Sequence, residues 1–302
     1  MRFAVCPGGQ TPGAASEAID AALAELRRLE ALWTTWTKES DIARVNAGAG
    51  KAAVPVSAET FELLRRARAG SELSGGLFDV TFAPLGGLWR FDRPPGSHEP
   101  VKLERVPAPE EVRDRQKLVD YRKLTLDAKA RSARLEREGM AVNLGGIGKG
   151  AAVDALVAML RARGFTSFTV QAGGDLFCAG KNGARPWRVG IAHPREKGRL
   201  VGTVEVSDGS ASTSGDYERF AIIGGVRYHH LIDPRTGYPA TASQSATVLA
   251  PTATDAEILT KAAFILGGEA GLAALEKARA KGVIVGAGGE VYVSSGLTLE
   301  RP

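Results

Sequence analysis

The feature that most constrains this chain is the order of its periodic segments from Ala141 onward. Short apolar runs and amphipathic stretches follow one another there without regular alternation. A doubly wound parallel sheet needs strand and helix to alternate, because each parallel strand is reached through a crossover. The irregular order therefore predicts an α+β fold, with mixed sheets and packed helices. Residues 141–144 read as a short buried strand and 151–163 as a helix with Val153, Leu156, Val157 and Leu160 facing inward. Strands are expected at 167–171, 187–191, 200–206, 220–223 and 246–249. Helices are expected at 255–266 and 268–281, before a closing hairpin around Gly288-Gly289.

The N-terminal half is more helical. Ile19, Leu23, Leu26, Leu29 and Trp33 fall at spacings of three and four, so 16–33 is expected to be an amphipathic helix started by Ser16 and Glu17. Residues 57–74 repeat the pattern, with Ser57 and Glu59 at the start, Phe61, Leu64 and Ala67 on one face, and Gly75-Gly76 at the end. The stretch 94–137 is rich in Pro, Arg, Lys and Glu and weakly periodic. It is read as a surface excursion, carrying a strand near 123–126, within a single domain spanning 1–302.

Bulk properties exclude several functions. With 44% hydrophobic and 24% charged residues, the 302-residue chain has the composition of a soluble globular protein. Its net charge of +5 (39 basic against 34 acidic) is spread among interspersed signs. There is no basic run of the kind that tracks nucleic acid. No apolar stretch of about 18 residues marks a membrane span. Cys6 and Cys178 give neither a disulfide framework nor a metal cluster, and both are expected as buried free thiols. Residues 1–9 lack the marks of a secretory signal. The expected location is cytoplasmic as written, or periplasmic if a leader has been removed.

Four polar or glycine-rich segments could carry chemistry. In 145–150 (Gly-Gly-Ile-Gly-Lys-Gly), placed between a strand and a helix, backbone N–H groups can approach a phosphate at a helix N-terminus. The spacing matches neither a Walker loop nor a dinucleotide fingerprint, and a ligand-free tight turn explains it equally well. Gly173-Gly174-Asp175 is a second turn, and 213–217 (Thr-Ser-Gly-Asp-Tyr) a third. In 229–237 a histidine, His230, precedes Asp233 by three residues, a pattern that suits either a general base or a satisfied structural histidine. Neighbouring His229 and His230 would point to opposite faces of a strand, which argues against a His-His metal site.

Taken together, these segments resemble the FAD:protein FMN transferases (ApbE-like). The resemblance is carried by Thr34-Thr35-Trp36 with 40–46 (Ser-Asp-Ile-Ala-Arg-Val-Asn), by 75–81 leading to Pro84-Leu85 and Trp89, and by 145–154. It continues through Gly173-Gly174-Asp175 with 186–189, through 213–219 and 230–237, and into a helix over 256–267. It spans nearly the whole chain and implies a T-fold-related architecture. Members bind FAD and, with Mg²⁺, split its pyrophosphate. They pass FMN to a Ser or Thr hydroxyl of a target flavoprotein and release AMP, while some relatives hydrolyse FAD or simply hold it. By position, Leu77, Phe78, Asp79, Gly145, Ile232 and Thr260 match cofactor contacts, Trp36 matches an aromatic beside the flavin, and Lys149 would lie near the phosphates. His230 is the first candidate for the base, with Asp233 and Asp216 as alternatives.

The resemblance also implies a Mg²⁺ site made of the Gly148 carbonyl, an Asp and a Thr one helical turn apart. This chain has Glu257 and Lys261 at those last two positions. A protonated lysine has no acceptor and cannot ligate Mg²⁺. Two readings compete for Lys261: a simple i,i+4 ion pair with Glu257, or an ammonium standing where the ion would be. The chain also opens Met1-Arg2-Phe3-Ala4-Val5 where the family has Met-Gly-Thr, and has Ala151 in place of a frequent tyrosine. Three functions follow as expectations: flavin transferase first, then a metal-independent FAD-binding protein or an FAD pyrophosphatase.

Overall fold

The computed structural model describes residues 2–5, 11–91, 101 and 103–302. Its centre is a seven-stranded sheet whose strands lie side by side in chain order: Arg2–Val5, Phe168–Ala172, Asp175–Ala179, Gly209–Gly215, Ser243–Ala250, Lys281–Gly286 and Val291–Val293. Every neighbouring pair is antiparallel. The fold is α+β, as the irregular element order predicts.

Eight helices accompany the strands among the described residues: α1 (Pro12–Trp33), α2 (Asp41–Ala47), α3 (Ala58–Leu73), α4 (Ala83–Trp89), α5 (Pro109–Gln116), α6 (Gly148–Ala162), α7 (Ala253–Leu266) and α8 (Gly268–Lys277). Alternation along each strand sorts side chains between the two faces of the sheet. Ala246, Val248 and Ile284 meet Leu259, Ala263 and Phe264 of α7 on one face. Val170 and Phe177 meet Val153, Leu156 and Leu160 of α6 on the same side, with Ala18 and Ala22 of α1 behind them. The other face packs Cys178, Val283 and Val285 against Ile191, Val204 and Val206 of the hairpin Trp187–Ala192/Leu200–Val206. A fourth cluster joins Leu63, Leu64 and Ala67 of α3 to Leu124, Leu135, Val142, Ile147 and Ile258.

Helix α7 is held at both its start and its flank. Asp154 of α6 accepts the backbone N–H groups of Ala253 and Thr254 at 2.7 and 3.0 Å, so a carboxylate sits at the positive end of α7. A Cβ on Gly150 would lie 2.4 Å from the Ala253 carbonyl oxygen, and only glycine allows α6 and α7 this approach.

Several local expectations need correction. Residues 141–144 form no strand beyond a single bridge from Ala141 to Phe82. The Asn46 side chain takes the hydrogen bonds a strand would use, accepting from the Val142 N–H at 2.7 Å and donating to its carbonyl at 2.9 Å. Helix α1 starts at a Thr11 cap rather than at Ser16, and α6 begins at Gly148, three residues early. Thr213, Ser214 and Gly215 belong to a strand, and the turn begins only at Asp216. Helix α8 stops at Lys277 because Arg279 adopts the left-handed φ of 56°, after which Lys281 starts a strand.

The described part of 94–137 carries α5 and the hairpin Leu124–Asp127/Ser132–Leu135. It buries Val112, Leu124, Ala133 and Leu135, which tie a largely exposed stretch to the core; residues 94–100 and 102 lie outside the described residues. Cys178 is a buried free thiol, and Cys6 lies outside the described residues. No described helix is long and apolar enough to cross a membrane.

Candidate flavin-nucleotide site

The Gly209–Gly215 strand carries Ser210, Ser212 and Ser214 on the face turned towards α7. Side chains this small let the helix approach while supplying hydroxyls. The Ser212 hydroxyl donates to Oδ1 of Asp175, and Ser214 donates to the Thr260 hydroxyl at 2.8 Å. Thr260 in turn donates to the Glu257 carbonyl at 2.8 Å. Strand and helix are thus joined by a chain of buried polar contacts.

At the junction of α6, α7 and the Gly173-Gly174 turn, four charges meet. Lys149 places its Nζ between Asp175 and Glu257, hydrogen-bonding both. The second oxygen of Glu257 accepts the Gly150 N–H at 2.7 Å. The Glu257 side chain is 0% exposed and that of Asp175 2%, whereas Lys149 keeps 47%. Burial works against the Lys149 charge, but Glu257 and Asp175 outweigh it and hold the ammonium above the ordinary lysine range. Burial pushes Glu257 upward, opposed by Lys149 and reinforced by the like charge of Asp175. Lys149, expected beside phosphates, therefore already has its charge matched within the protein.

Lys261 lies on the same helix one turn beyond Glu257. Its Nζ is 3.9 Å from Oε1 of Glu257 and 3.3 Å from the Thr260 hydroxyl, and its side chain is 18% exposed. Burial lowers its pKa, against the pull of Glu257. Its stem borders the glycine loop, since a Cβ on Gly146 would lie 3.5 Å from Lys261 Cε and 3.4 Å from the Phe78 ring. The loop itself is shaped by Asn143, whose side-chain oxygen accepts the Gly145 N–H at 2.7 Å. Phe78, Gly146, Thr260, Lys261, Glu257 and Lys149 thus form one contiguous group. Leu77 packs beside it with Leu231 and Leu259.

The remaining candidates are occupied differently. Asp79 is buried and accepts from the Thr81 N–H and hydroxyl, both at 2.7 Å, and from the Tyr121 N–H at 2.9 Å. Burial raises its pKa despite these bonds. Asp216 accepts from both terminal guanidinium nitrogens of Arg195, Nη1 and Nη2, at 2.6 Å. Asp233 is gripped by Arg235, whose Nη2 lies 2.7 Å from Oδ2, and its backbone carbonyl accepts the Gly237 N–H at 2.8 Å. Both aspartates already serve as ion-pair partners, which leaves His230 the freer base candidate. Its Nδ1 is 3.4 Å from the Arg219 carbonyl. Burial pushes its pKa down to about 3, helped by the nearby His229, Arg219 and Lys261. It is therefore neutral at pH 7, as a proton acceptor must be, though a weak one. His229 turns inward and bonds the Ala240 carbonyl at 2.8 Å, edge-on to Phe264.

Ile232 packs with Leu85, Trp89 and Val112, while Trp36 stands 85% exposed between α1 and α2. Sequence reasoning gave Asp175 no role, although an acid directly after a Gly-Gly turn at a strand start was visible. Ser212 left no signal, and Ser214 was visible only as part of the polar 213–217 segment, because a serine's partner depends on which face of the sheet it occupies.

The family model described as the ApbE family matches residues 4–285. The chain belongs to the ApbE family. It is 36% identical to the FAD:protein FMN transferase of Treponema pallidum over 270 residues, covering 83% of this chain and 72% of the relative. It is 33% identical to that of Klebsiella pneumoniae, covering 83% and 76%. The crystal structure of the ApbE protein from Thermotoga maritima superposes with a TM-score of 0.85 at 31% identity, covering 96% of this chain and 92% of that one. The flavin transferase ApbE from Vibrio cholerae superposes at 0.81 with 28% identity, covering 97% and 93%.

The resemblance to this family implies Mg²⁺, but the residues here do not fit it. The ion needs near-octahedral oxygen coordination. Both Glu257 oxygens are engaged by Lys149 and Gly150, and both Asp175 oxygens by Lys149 and Ser212. Gly148 offers one carbonyl at the start of α6. Among the described residues no group of three or more His, Cys, Asp or Glu side chains is arranged to hold a metal. An ion held by Glu257 would also meet like-charge repulsion from the Lys261 ammonium, which lies 3.9 Å from that carboxylate.

Proposed function

We propose that this chain is an FAD:protein FMN transferase. Support comes from the family match over residues 4–285 together with relatives of that name at 36% and 33% identity. In the reaction, the acceptor's Ser or Thr oxygen attacks the FMN-side phosphorus of FAD. The bridging P–O bond breaks, AMP leaves with that oxygen, and the acceptor's hydroxyl proton passes to a base. His230 is the group we assign to that proton, since Asp216 and Asp233 are committed to arginines. Phe78, Leu77 and the glycine loop with Gly145 and Gly148 would hold the flavin nucleotide, with Trp36, Asp79, Ile232 and Thr260 framing or supporting it. The partner is an acceptor flavoprotein.

The saturated Glu257 and the presence of Lys261 favour a second reading, a flavin-binding protein that does not cleave FAD. Purified protein incubated with FAD and a flavin-acceptor domain, with and without Mg²⁺, separates the two. AMP release with protein-linked FMN is the expected result. Retention of uncleaved FAD under both conditions would establish the binder, and free FMN with AMP a pyrophosphatase.

A further inference from the structure

The four-charge cluster has a built-in arithmetic. Asp175 and Glu257 contribute −2 and Lys149 +1, so without Lys261 the group carries −1, and with it the sum is zero. All four oxygens of the two carboxylates already accept a hydrogen bond, from Lys149, Gly150 or Ser212, so an ion would have to compete with these donors. Lys261 is the opposite case. Its ammonium has three donors, yet the contacts it makes are a 3.3 Å bond to Thr260 and an ion pair stretched to 3.9 Å. It is held in place by its stem, which lies along Gly146 opposite the Phe78 ring, and it keeps 18% of its side chain open to solvent.

We propose that the Lys261 ammonium, rather than a divalent cation, is the positive charge this chain presents to the pyrophosphate of a flavin dinucleotide, so that FAD binds without Mg²⁺. The inference rests on the flavin reading above and adds how the anion is recognised. Lys149 is the supporting group: by hydrogen-bonding both carboxylates it keeps Glu257 from capturing Lys261 in a close pair. An anion arriving over Gly146 then meets the spare N–H donors of an ammonium that is supplied by the protein and independent of dissolved ions. The same ammonium repels a metal ion from the position that the family's metal would take.

The test is a titration of the full chain with FAD, followed by calorimetry and flavin fluorescence, in EDTA and in Mg²⁺. The expected dissociation constants agree within about twofold. Losing a charge-assisted hydrogen bond in Lys261→Met should weaken FAD roughly 10- to 100-fold in both buffers. Lys261→Arg should keep most of the affinity. Riboflavin, which has no phosphate, should bind Lys261→Met as it binds the parent, which separates lost charge from a damaged fold. The double variant Glu257→Asp with Lys261→Thr should acquire Mg²⁺-dependent FAD binding. A parent protein whose FAD affinity rises tenfold or more with Mg²⁺ overturns the proposal, as does a Lys261→Met variant that loses riboflavin and FAD equally. Failure of the parent to bind FAD in either buffer would instead remove the flavin reading itself, and this inference with it.

Discussion

Replacing Lys149 by methionine removes the cation between two carboxylates that are 2% and 0% exposed. Breaking a buried pair by deleting one partner typically costs about 3–5 kcal/mol, because the other charge is stranded. Here the ammonium keeps 47% exposure, Glu257 still holds the Gly150 N–H, and Asp175 still holds Ser212, so the low end, about 3 kcal/mol, applies. Unfolding entropy of roughly 2.1 cal/mol/K per residue gives about 630 cal/mol/K for this length, and the loss corresponds to about 5 °C in Tm. Scanning calorimetry without flavin measures it directly. In a Glu257→Gln background, where one of the two stranded charges is already gone, the cost of Lys149→Met should fall by about 1.5 kcal/mol. A shift below about 1.5 °C, or an equal shift in both backgrounds, would refute the view that Lys149 is consumed by the carboxylates.

Trp36, 85% exposed, packs against little, so Trp36→Ala should leave Tm unchanged while weakening FAD binding about 3- to 10-fold, the value of one aromatic contact. Fluorescence titration checks this, and unaltered affinity would place the tryptophan away from the flavin. Asp41 offers a pH test. Burial works to raise its pKa, but hydrogen bonds from Ser57 and Thr60 and the Arg44 guanidinium outweigh it, so the folded value lies below the ordinary 3.8. A depressed acid stabilises the fold above its unfolded pKa and loses that contribution as pH falls through the folded value. Asp41→Asn should therefore cost about 1–2 kcal/mol in urea melts at pH 7, with the difference shrinking below about pH 4. A constant difference down to pH 3 would contradict the assignment.

Elements with strong local signals were legible from sequence alone. The 57–74 periodicity with its Ser57 cap gave α3 to within a residue, and the strands at 200–206 and 220–223 lie where expected. Where the backbone's partners come from elsewhere in the chain, that reading failed. Residues 141–144 have a strand's composition, but the side chain of Asn46, nearly a hundred positions away, takes both backbone hydrogen bonds of Val142. Short helices such as α2 and α4 carry too few turns for a periodic pattern to emerge.

By itself the sequence determined the α+β class, the run of motifs that marks the ApbE family, and the presence of Glu257 and Lys261 four residues apart. Helical spacing alone allowed those two to form a simple ion pair. Tertiary structure keeps that pair but stretches it to 3.9 Å, by placing Lys149 from α6 between Glu257 and Asp175 of the sheet. A buried charge takes whichever partner satisfies it with the best geometry. That choice depends on three segments meeting in space, and here it spends Lys149 on the acids and leaves Lys261 with only a long bond to Thr260 and a stretched pair with Glu257.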